Sequence, residues 1–77
     1  MLSAYVLIES ELGKVAHVAR AMTELDGVQS AEDLAGPYDV IARVEASGLD
    51  ELGRLVVFRI QVLDGVTRTL TCMVLDR

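Results

Sequence analysis

The residues best suited to chemistry lie in a turn near the middle of the chain. The segment Gly36-Pro37-Tyr38-Asp39 sets a carboxylate and a phenol beside two turn-forming residues. The Asp39 carboxylate could accept a charge-assisted hydrogen bond from an ammonium group, and the Tyr38 ring could close a pocket. Two structural roles stay open beside these: aspartate often stabilises a turn, and an interface tyrosine can keep its hydroxyl in water.

A second group of polar side chains lies near the end of the chain. Thr67, Thr69 and Thr71 alternate with other residues, so in a strand their hydroxyls project from one face. Such a row could bind a carboxylate together with backbone N–H groups. Threonine also favours strands, and β-propensity alone would explain the row.

Histidine and cysteine give no sign of a metal or nucleophile site. His17 has no Asp, Cys or His four residues on, and we expect it on a solvated helix face. Cys72 alternates within a strand-like segment, and we expect it to be a small core residue. A single cysteine forms no internal disulfide, which favours a reduced, cytoplasmic setting. We expect no cofactor.

Bulk composition predicts one self-associating domain. The chain has 77 residues, of which 52% are hydrophobic, and a mean hydropathy of +0.41. A chain this short buries only about 60–65% of its unfolded surface, so apolar surface is left for a partner. A net charge of −5 and seven scattered basic residues argue against direct nucleic-acid binding. No apolar run approaches the roughly 18 residues of a membrane span, and the first residues lack the basic region of a signal peptide.

The hydrophobic periodicity predicts the element order βαββαβ. A first strand covers residues 3–8, and Ser10 is expected to cap a helix that ends at Asp26-Gly27. The expected apolar stripe of that helix is Leu12, Val15, Ala16, Ala19 and Met22. Residues 28–34 and 38–46 then form a hairpin around the central turn.

The segment after the hairpin is ambiguous. Ser47 and Asp50 resemble a capping box, yet residues 55–62 alternate as a strand would. Gly53 would cost a helix about 1 kcal/mol relative to alanine. We predict a helix up to Leu63 because a strand here would leave the sheet uncovered. Residues 66–75 form the last strand.

This order predicts a ferredoxin-like α+β sandwich, a four-stranded antiparallel sheet with both helices on one face. The residues expected under the helices are Ala4, Val6, Ile8, Val40, Ala42, Val44, Leu70, Cys72 and Val74. Those expected on the opposite, open face are Tyr5, Leu7, Ile41, Met73 and Leu75. At ~25 cal/mol per Å², burying the second set offers several kcal/mol per subunit, so we predict dimers that pack sheet to sheet.

Three segments together resemble the effector-binding domain of Lrp/AsnC transcriptional regulators, also called the RAM domain. They are Gly36-Pro37-Tyr38-Asp39-Val40, Leu49-Asp50-Glu51-Leu52 and Gly65-Val66-Thr67-Arg68-Thr69-Leu70-Thr71. The resemblance covers residues 1–77 as a single domain. The family's Gly-x-Tyr/Phe-Asp turn falls on Gly36, Tyr38 and Asp39, and its Gly-Val-x-x-Thr-x-Thr segment on Gly65, Val66, Thr69 and Thr71.

The resemblance implies a regulatory function without catalysis. It implies β-sheet-mediated dimers, often joined in rings that are commonly octamers, with amino acids or related metabolites bound where dimers meet. Family regulators begin with a DNA-binding helix-turn-helix, whereas here Met1 leads directly into the first strand. We therefore expect a stand-alone, cytoplasmic module that does not bind DNA itself and could act through a full-length regulator of the family.

Three alternatives stay open. A dimeric α/β-barrel oxygenase or isomerase shares this fold, but it needs a catalytic cluster in a cavity, and His17 on an outer helix is a poor candidate. A purely architectural subunit that mixes with full-length regulators is the second. The third is a domain of the ACT type, which has the same strand order and a different subunit arrangement.

Overall fold

The four strands form one antiparallel sheet with the predicted connectivity. The computed structural model describes residues 1–75. Its strands are β1 Leu2–Ser10, β2 Val28–Asp33, β3 Val40–Ala46 and β4 Val66–Met73, and its helices are α1 Val15–Thr23 and α2 Leu49–Arg54, with a π-helical continuation Leu55–Ile60. The strand order is β2-β3-β1-β4, which leaves β2 and β4 at the edges. The predicted ferredoxin-like sandwich is confirmed.

One face of the sheet carries the whole core. Alternate residues of the two central strands are buried: Ala4, Val6, Ile8, Val40, Ala42 and Val44. The helices cover them with Val18, Met22, Leu52, Leu55, Val56 and Ile60. Because side chains alternate along a strand, Tyr5, Leu7 and Ile41 project from the other face, which no helix covers.

The first helix begins later than predicted. Ser10 ends β1 instead of capping the helix, and α1 starts at Val15 without a side-chain cap. Leu12, expected in the apolar stripe, lies before the helix and is fully exposed. The reason is tertiary: the Ser10 N–H donates to the Asp39 carboxylate (2.8 Å) and the Glu11 N–H to the Gly65 carbonyl (2.8 Å). These bonds hold the two residues in an extended path.

The second helix is confirmed, with two differences in detail. The N-cap residue is Gly48 and not Ser47, and it is Glu51, not Asp50, whose carboxylate accepts from the Ser47 N–H (2.9 Å) and hydroxyl (3.1 Å). The segment predicted as ambiguous is π-helical, and the Gln61 N–H donates to the carbonyl of Val56, five residues back. A side chain added at Gly53 would meet no atom within 4 Å.

The last strand faces the opposite way from the prediction. The register pairs Ile8 with Thr69, Val6 with Thr71 and Ala4 with Met73, so Thr69, Thr71 and Met73 lie on the helix-covered face, whereas Thr67 falls at a register shift. Leu70 and Cys72 lie instead on the open face, and Cys72 is exposed rather than in the core. The placement of Met73 on the open face was therefore wrong. Leu75 follows the end of β4 and is exposed.

The parity of β4 could not be read from its composition. One set of alternate residues holds leucine, cysteine and valine, and the other holds threonines and methionine. Both sets suit a strand, and an edge strand is only partly covered on either face. A register shift between Glu9 and Ser10, opposite the start of β4, adds an irregularity that alternation does not predict.

Candidate functional site

Asp39 links the central turn to the end of β1 through hydrogen bonds. Its carboxylate oxygen Oδ2 accepts from the Ser10 N–H (2.8 Å) and lies 3.4 Å from the Ser10 hydroxyl. Its own N–H donates to the Ile8 carbonyl, and its carbonyl accepts from the Leu34 N–H, each at 2.8 Å. One oxygen of the Asp39 carboxylate is thus hydrogen-bonded within the chain, which fits the structural role that the sequence left open for Asp39. Gly36 lies at the exposed tip of the same turn.

Tyr38 forms a cluster with Arg68 and Glu9 on the open face. Nη2 of Arg68 donates to the Tyr38 hydroxyl (3.3 Å), and the guanidinium carbon lies 6.0 Å from the ring centroid. Oε2 of Glu9 is 3.8 Å from the same nitrogen. The bond to Tyr38 and then the negative charge of Glu9 hold the pKa of Arg68 above its usual value. Arg68 therefore contacts both an aromatic ring and an acid.

A similar pair lies further along the open face. Nη1 of Arg43 donates to the Tyr5 hydroxyl (3.1 Å), and its guanidinium carbon lies 5.5 Å from the Tyr5 ring centroid. Glu45 lies two residues from Arg43 on the same strand, yet the two form no ion pair within residues 1–75. Cross-strand neighbours explain the difference, because Tyr5 is directly opposite Arg43 in the register.

Two of the three threonines, Thr67 and Thr69, line a polar depression beside β4. The Thr67 hydroxyl donates to the Glu9 carbonyl (3.0 Å), and Nε2 of Gln61 donates to the Thr69 hydroxyl (3.1 Å). The depression has a volume of about 350 Å³ and is lined by Gln61, Val66, Thr67, Arg68 and Thr69. Gln61 was not a candidate from sequence. It follows the π-helical segment, and no sequence motif indicates that this segment directs it at β4.

The six candidate ligand residues form two groups at one end of the sheet. Asp39 accepts from Ser10 at the end of β1, the Thr67 hydroxyl donates to the Glu9 carbonyl of the same strand, and the Tyr38 hydroxyl accepts from Arg68 of β4. Tyr38 reaches the open face, whereas Thr69 and Thr71 face the helices. Thr71 lies further along β4, opposite Val6. A single chain therefore does not bring the two groups into one pocket.

Groups suited to a metal are absent from the described part of the chain. No three His, Cys, Asp or Glu side chains cluster in residues 1–75. His17 is exposed, as predicted, with Nε2 3.8 Å from Oδ2 of Asp64. The same Asp64 oxygen accepts from Nζ of Lys14 at 2.8 Å. Among the same residues, no helix has the length and apolar character needed to cross a membrane.

The sheet topology and the one-sided helix layer define a ferredoxin-like α+β domain. The family is then given by a family model: the chain belongs to the Lrp/AsnC family, because the model of the Lrp/AsnC ligand binding domain matches residues 3–77. The resemblance drawn from the three short segments is confirmed.

Relatives carry this domain within longer proteins. An uncharacterised helix-turn-helix-type transcriptional regulator of Pyrococcus abyssi is 32% identical over 59 residues, which are 77% of this chain and 39% of the regulator. A homocitrate synthase of Sulfurisphaera tokodaii is 33% identical over 60 residues, 78% of this chain and 13% of the enzyme. The chain thus spans well under half the length of these relatives.

Solved structures share the fold over the full chain. A crystal structure of a Thermus thermophilus protein has a TM-score of 0.94 and 34% identity, and covers 100% of this chain and 96% of that one. A transcriptional regulator of Neisseria meningitidis, solved in complex with L-methionine, has a TM-score of 0.86 at 18% identity, covering 97% of this chain and 50% of that one. The second similarity is one of fold alone.

Proposed function

We propose that this domain binds an amino acid or a closely related metabolite and passes that signal to transcription without contacting DNA itself. The coarser part, an effector-binding module of the Lrp/AsnC type, follows from the family. The fold is shared with a regulator that was solved with L-methionine, which supports an amino-acid effector. Such a module would work in the cytoplasm, on its own or beside a full-length regulator.

The relatives include a transcriptional regulator and a biosynthetic enzyme, and this combination limits which function the shared domain can have in both. Nearly the same length of chain, 59 and 60 residues, aligns with a regulator and with a biosynthetic enzyme. The names of the two relatives indicate different activities, DNA binding and synthase chemistry, and the aligned segment is only 39% of one and 13% of the other. Sensing a small metabolite is a property that both could use. This argument also disfavours catalysis by the domain itself, and we propose no enzymatic activity.

The single observation that carries the proposal is the polar depression along β4. It joins the Thr67 and Thr69 hydroxyls, the Gln61 amide and Arg68. The Val74 N–H donates to the Ser3 carbonyl, and hydrogen-bonded pairs alternate in an antiparallel ladder. The backbone N–H groups of Thr69 and Thr71 therefore point to the free edge of the sheet. Hydroxyls, an amide and edge N–H groups suit a ligand carboxylate.

We further propose that the open face pairs two copies, sheet to sheet. The corrected apolar set on this face is Tyr5, Leu7, Ile41, Leu70 and Cys72. If each buries about 50 Å² on pairing, the hydrophobic gain is roughly 6 kcal/mol per subunit at 25 cal/mol per Å². The Tyr5–Arg43 and Tyr38–Arg68 pairs border this set and supply polar groups for a rim. Gly36, Tyr38 and Asp39 would then lie beside the second copy, and we propose that they contact a ligand there.

Ligand binding is tested by calorimetry of the assembled protein with each of the twenty amino acids. Thr69→Val removes one hydroxyl at nearly constant volume, and a lost hydrogen bond of about 0.5–1.5 kcal/mol weakens binding roughly 2- to 13-fold. Thr23→Val is the matched control, because the Thr23 hydroxyl bonds only the Arg20 carbonyl on its own helix. The proposal fails if no amino acid binds the intact assembly, or if both variants bind as the parent does.

Sheet pairing is tested by light scattering after size-exclusion chromatography. Leu7→Glu sets a charge in the centre of the open face and should yield monomers. Leu12→Glu, at a fully exposed position away from the sheet, should leave the mass unchanged. A parent protein that is monomeric at micromolar concentration contradicts the pairing.

A further inference from the structure

The depression beside β4 contains hydrogen-bonding groups that the chain itself leaves unused. Nε2 of Gln61 donates one hydrogen to the Thr69 hydroxyl (3.1 Å), so its second N–H and the carbonyl oxygen Oε1 have no partner within residues 1–75. The Thr69 hydroxyl accepts that bond and keeps its own hydrogen for another acceptor. The Thr67 hydroxyl donates to the Glu9 carbonyl (3.0 Å) and keeps its lone pairs. A polar group of a ligand can use all of these.

Apolar side chains are scarce in the depression. Of the five residues that line it, only Val66 has a purely hydrocarbon side chain. An aliphatic group placed against Gln61 and Thr69 would displace their water without replacing its hydrogen bonds, which is unfavourable. The lining therefore disfavours a ligand whose side chain is apolar.

The lining also offers no partner for a cationic side chain. None of the five lining residues is an acid. The positive charge of Arg68 is already compensated, because its Nη2 donates to the Tyr38 hydroxyl (3.3 Å) and lies 3.8 Å from Oε2 of Glu9. The groups left for a ligand are therefore uncharged donors and acceptors.

These groups approach a ligand from a different direction than the backbone of β4 does. The edge N–H groups of Thr69 and Thr71 point outward in the plane of the sheet. Gln61 reaches β4 from the helix layer, and its own N–H is fixed by a bond to the Val56 carbonyl (2.9 Å). One polar group of a ligand can thus meet the edge while a second polar group meets Gln61.

We propose that the side chain of the effector ends in a carboxamide or a carboxylate, and that Gln61 selects it. This inference rests on the function proposed above, because it assumes an amino-acid effector whose α-carboxylate binds along β4. The carbonyl oxygen of the effector side chain accepts from the free N–H of Gln61 and from the Thr69 hydroxyl. A carboxamide also donates to Oε1 of Gln61. An aliphatic side chain of the same shape makes none of these bonds.

The test compares amino acids of equal shape by calorimetry of the assembled protein. Asparagine, aspartate and leucine branch at the same carbon and have the same number of side-chain heavy atoms. Asparagine or aspartate should bind about fivefold or more tighter than leucine, because leucine forgoes two hydrogen bonds that each change affinity roughly 2- to 13-fold. Glutamine and glutamate are compared with methionine in the same way, for a longer side chain. The ratio of amide to acid tells which end group is preferred.

Gln61→Met removes the amide and keeps an unbranched side chain of similar length. This variant should lower the preference for the polar amino acid over its apolar counterpart by roughly 2- to 13-fold. Gln29→Met is the matched control, since Gln29 is the other glutamine of the chain and is exposed on β2. It should keep the preference of the parent. Circular dichroism checks that both variants are folded.

The outcomes separate this inference from the proposed function. Leucine, methionine or lysine binding as tightly as the carboxamide and carboxylate amino acids would overturn the inference and leave an amino-acid effector in place. A Gln61→Met variant that keeps the full preference would do the same. If none of the twenty amino acids binds the intact assembly, it is the proposed function that fails, and the inference fails with it.

Discussion

Gly65 is the residue at which a single methyl group should do most damage. Its φ is +97°, a region that costs other residues roughly 1–2 kcal/mol. An added Cβ would lie 2.9 Å from Cβ of Lys14 and 3.1 Å from Cγ2 of Val18. The first of these atoms is fixed by the backbone, so the contact adds about 1–3 kcal/mol of strain. We expect Gly65→Ala to lower the free energy of unfolding by about 2–5 kcal/mol, which is much of the roughly 4–12 kcal/mol expected for a domain of this size.

Two other glycines separate the backbone cost from the contact cost. Gly13 has a φ of +83° but open space around an added Cβ, so Gly13→Ala should show the backbone cost alone. Gly36 has neither a positive φ nor a neighbour within 4 Å, and Gly36→Ala should change stability by less than about 0.5 kcal/mol. Urea titration gives the three values. If Gly65→Ala costs no more than Gly13→Ala, the close packing of the turn against α1 is refuted.

Two further predictions concern groups around the candidate site and the first helix. Asp39→Ala removes the acceptor of the Ser10 N–H and should lower the free energy of unfolding by about 1.5–3 kcal/mol, as measured by urea titration. Asp33→Ala, at an exposed position, should leave the free energy of unfolding nearly unchanged. Equal effects of the two substitutions would contradict the stabilising role of the Asp39–Ser10 bond. The bond and positive charge of Lys14 hold the pKa of Asp64 below its usual 3.8, and the same pair raises the pKa of Lys14 above 10.5. The small contribution of the Lys14–Asp64 pair to stability is therefore present above the pKa of the unfolded aspartate and is lost as pH falls through the lowered pKa of Asp64. At the alkaline end, the contribution is lost as pH rises past 10.5 and through the raised pKa of Lys14. The difference in urea midpoint between parent and Asp64→Asn should be flat across neutral pH and vanish in acid; a difference that persists at about pH 2 would contradict the pairing.

The fold was predictable because its central strands carry an unambiguous pattern. In β3, each of Val40, Ala42 and Val44 is followed by a residue that faces away from the core, and all three are buried as alternation requires. The helix over residues 55–60 was predicted against its local strand propensity, from the need to cover the sheet. Its π geometry was not predictable, because it depends on how Leu55, Val56 and Ile60 fit beneath the helix.

The candidate site was less predictable because its contacts join distant parts of the chain. Ser10 was interpreted as a helix cap from its neighbours, yet its N–H donates to Asp39, 29 residues away. The Gln61–Thr69 and Tyr38–Arg68 bonds are also between different elements. Local patterns predicted which residue types belong to the turn and to β4, and they carried no information on which face of the sheet each would reach.

The corrected parity of β4 bears directly on how sensing and assembly can coexist. Had the threonine row faced the open side, pairing of two sheets would have buried its hydroxyls against apolar residues, and a ligand would have competed with the dimer. The register sets Thr69 and Thr71 on the helix side and Leu70 and Cys72 on the open side. In the proposed dimer the open face would thereby gain two apolar contacts, while Thr69 and Thr71 would stay at an edge that the proposed ligand can reach. Arg68 belongs to both, since it lines the depression and its guanidinium bonds Tyr38 on the open face. Strand β4 thus has the polar depression on one side and the open face on the other, and Arg68 contacts both.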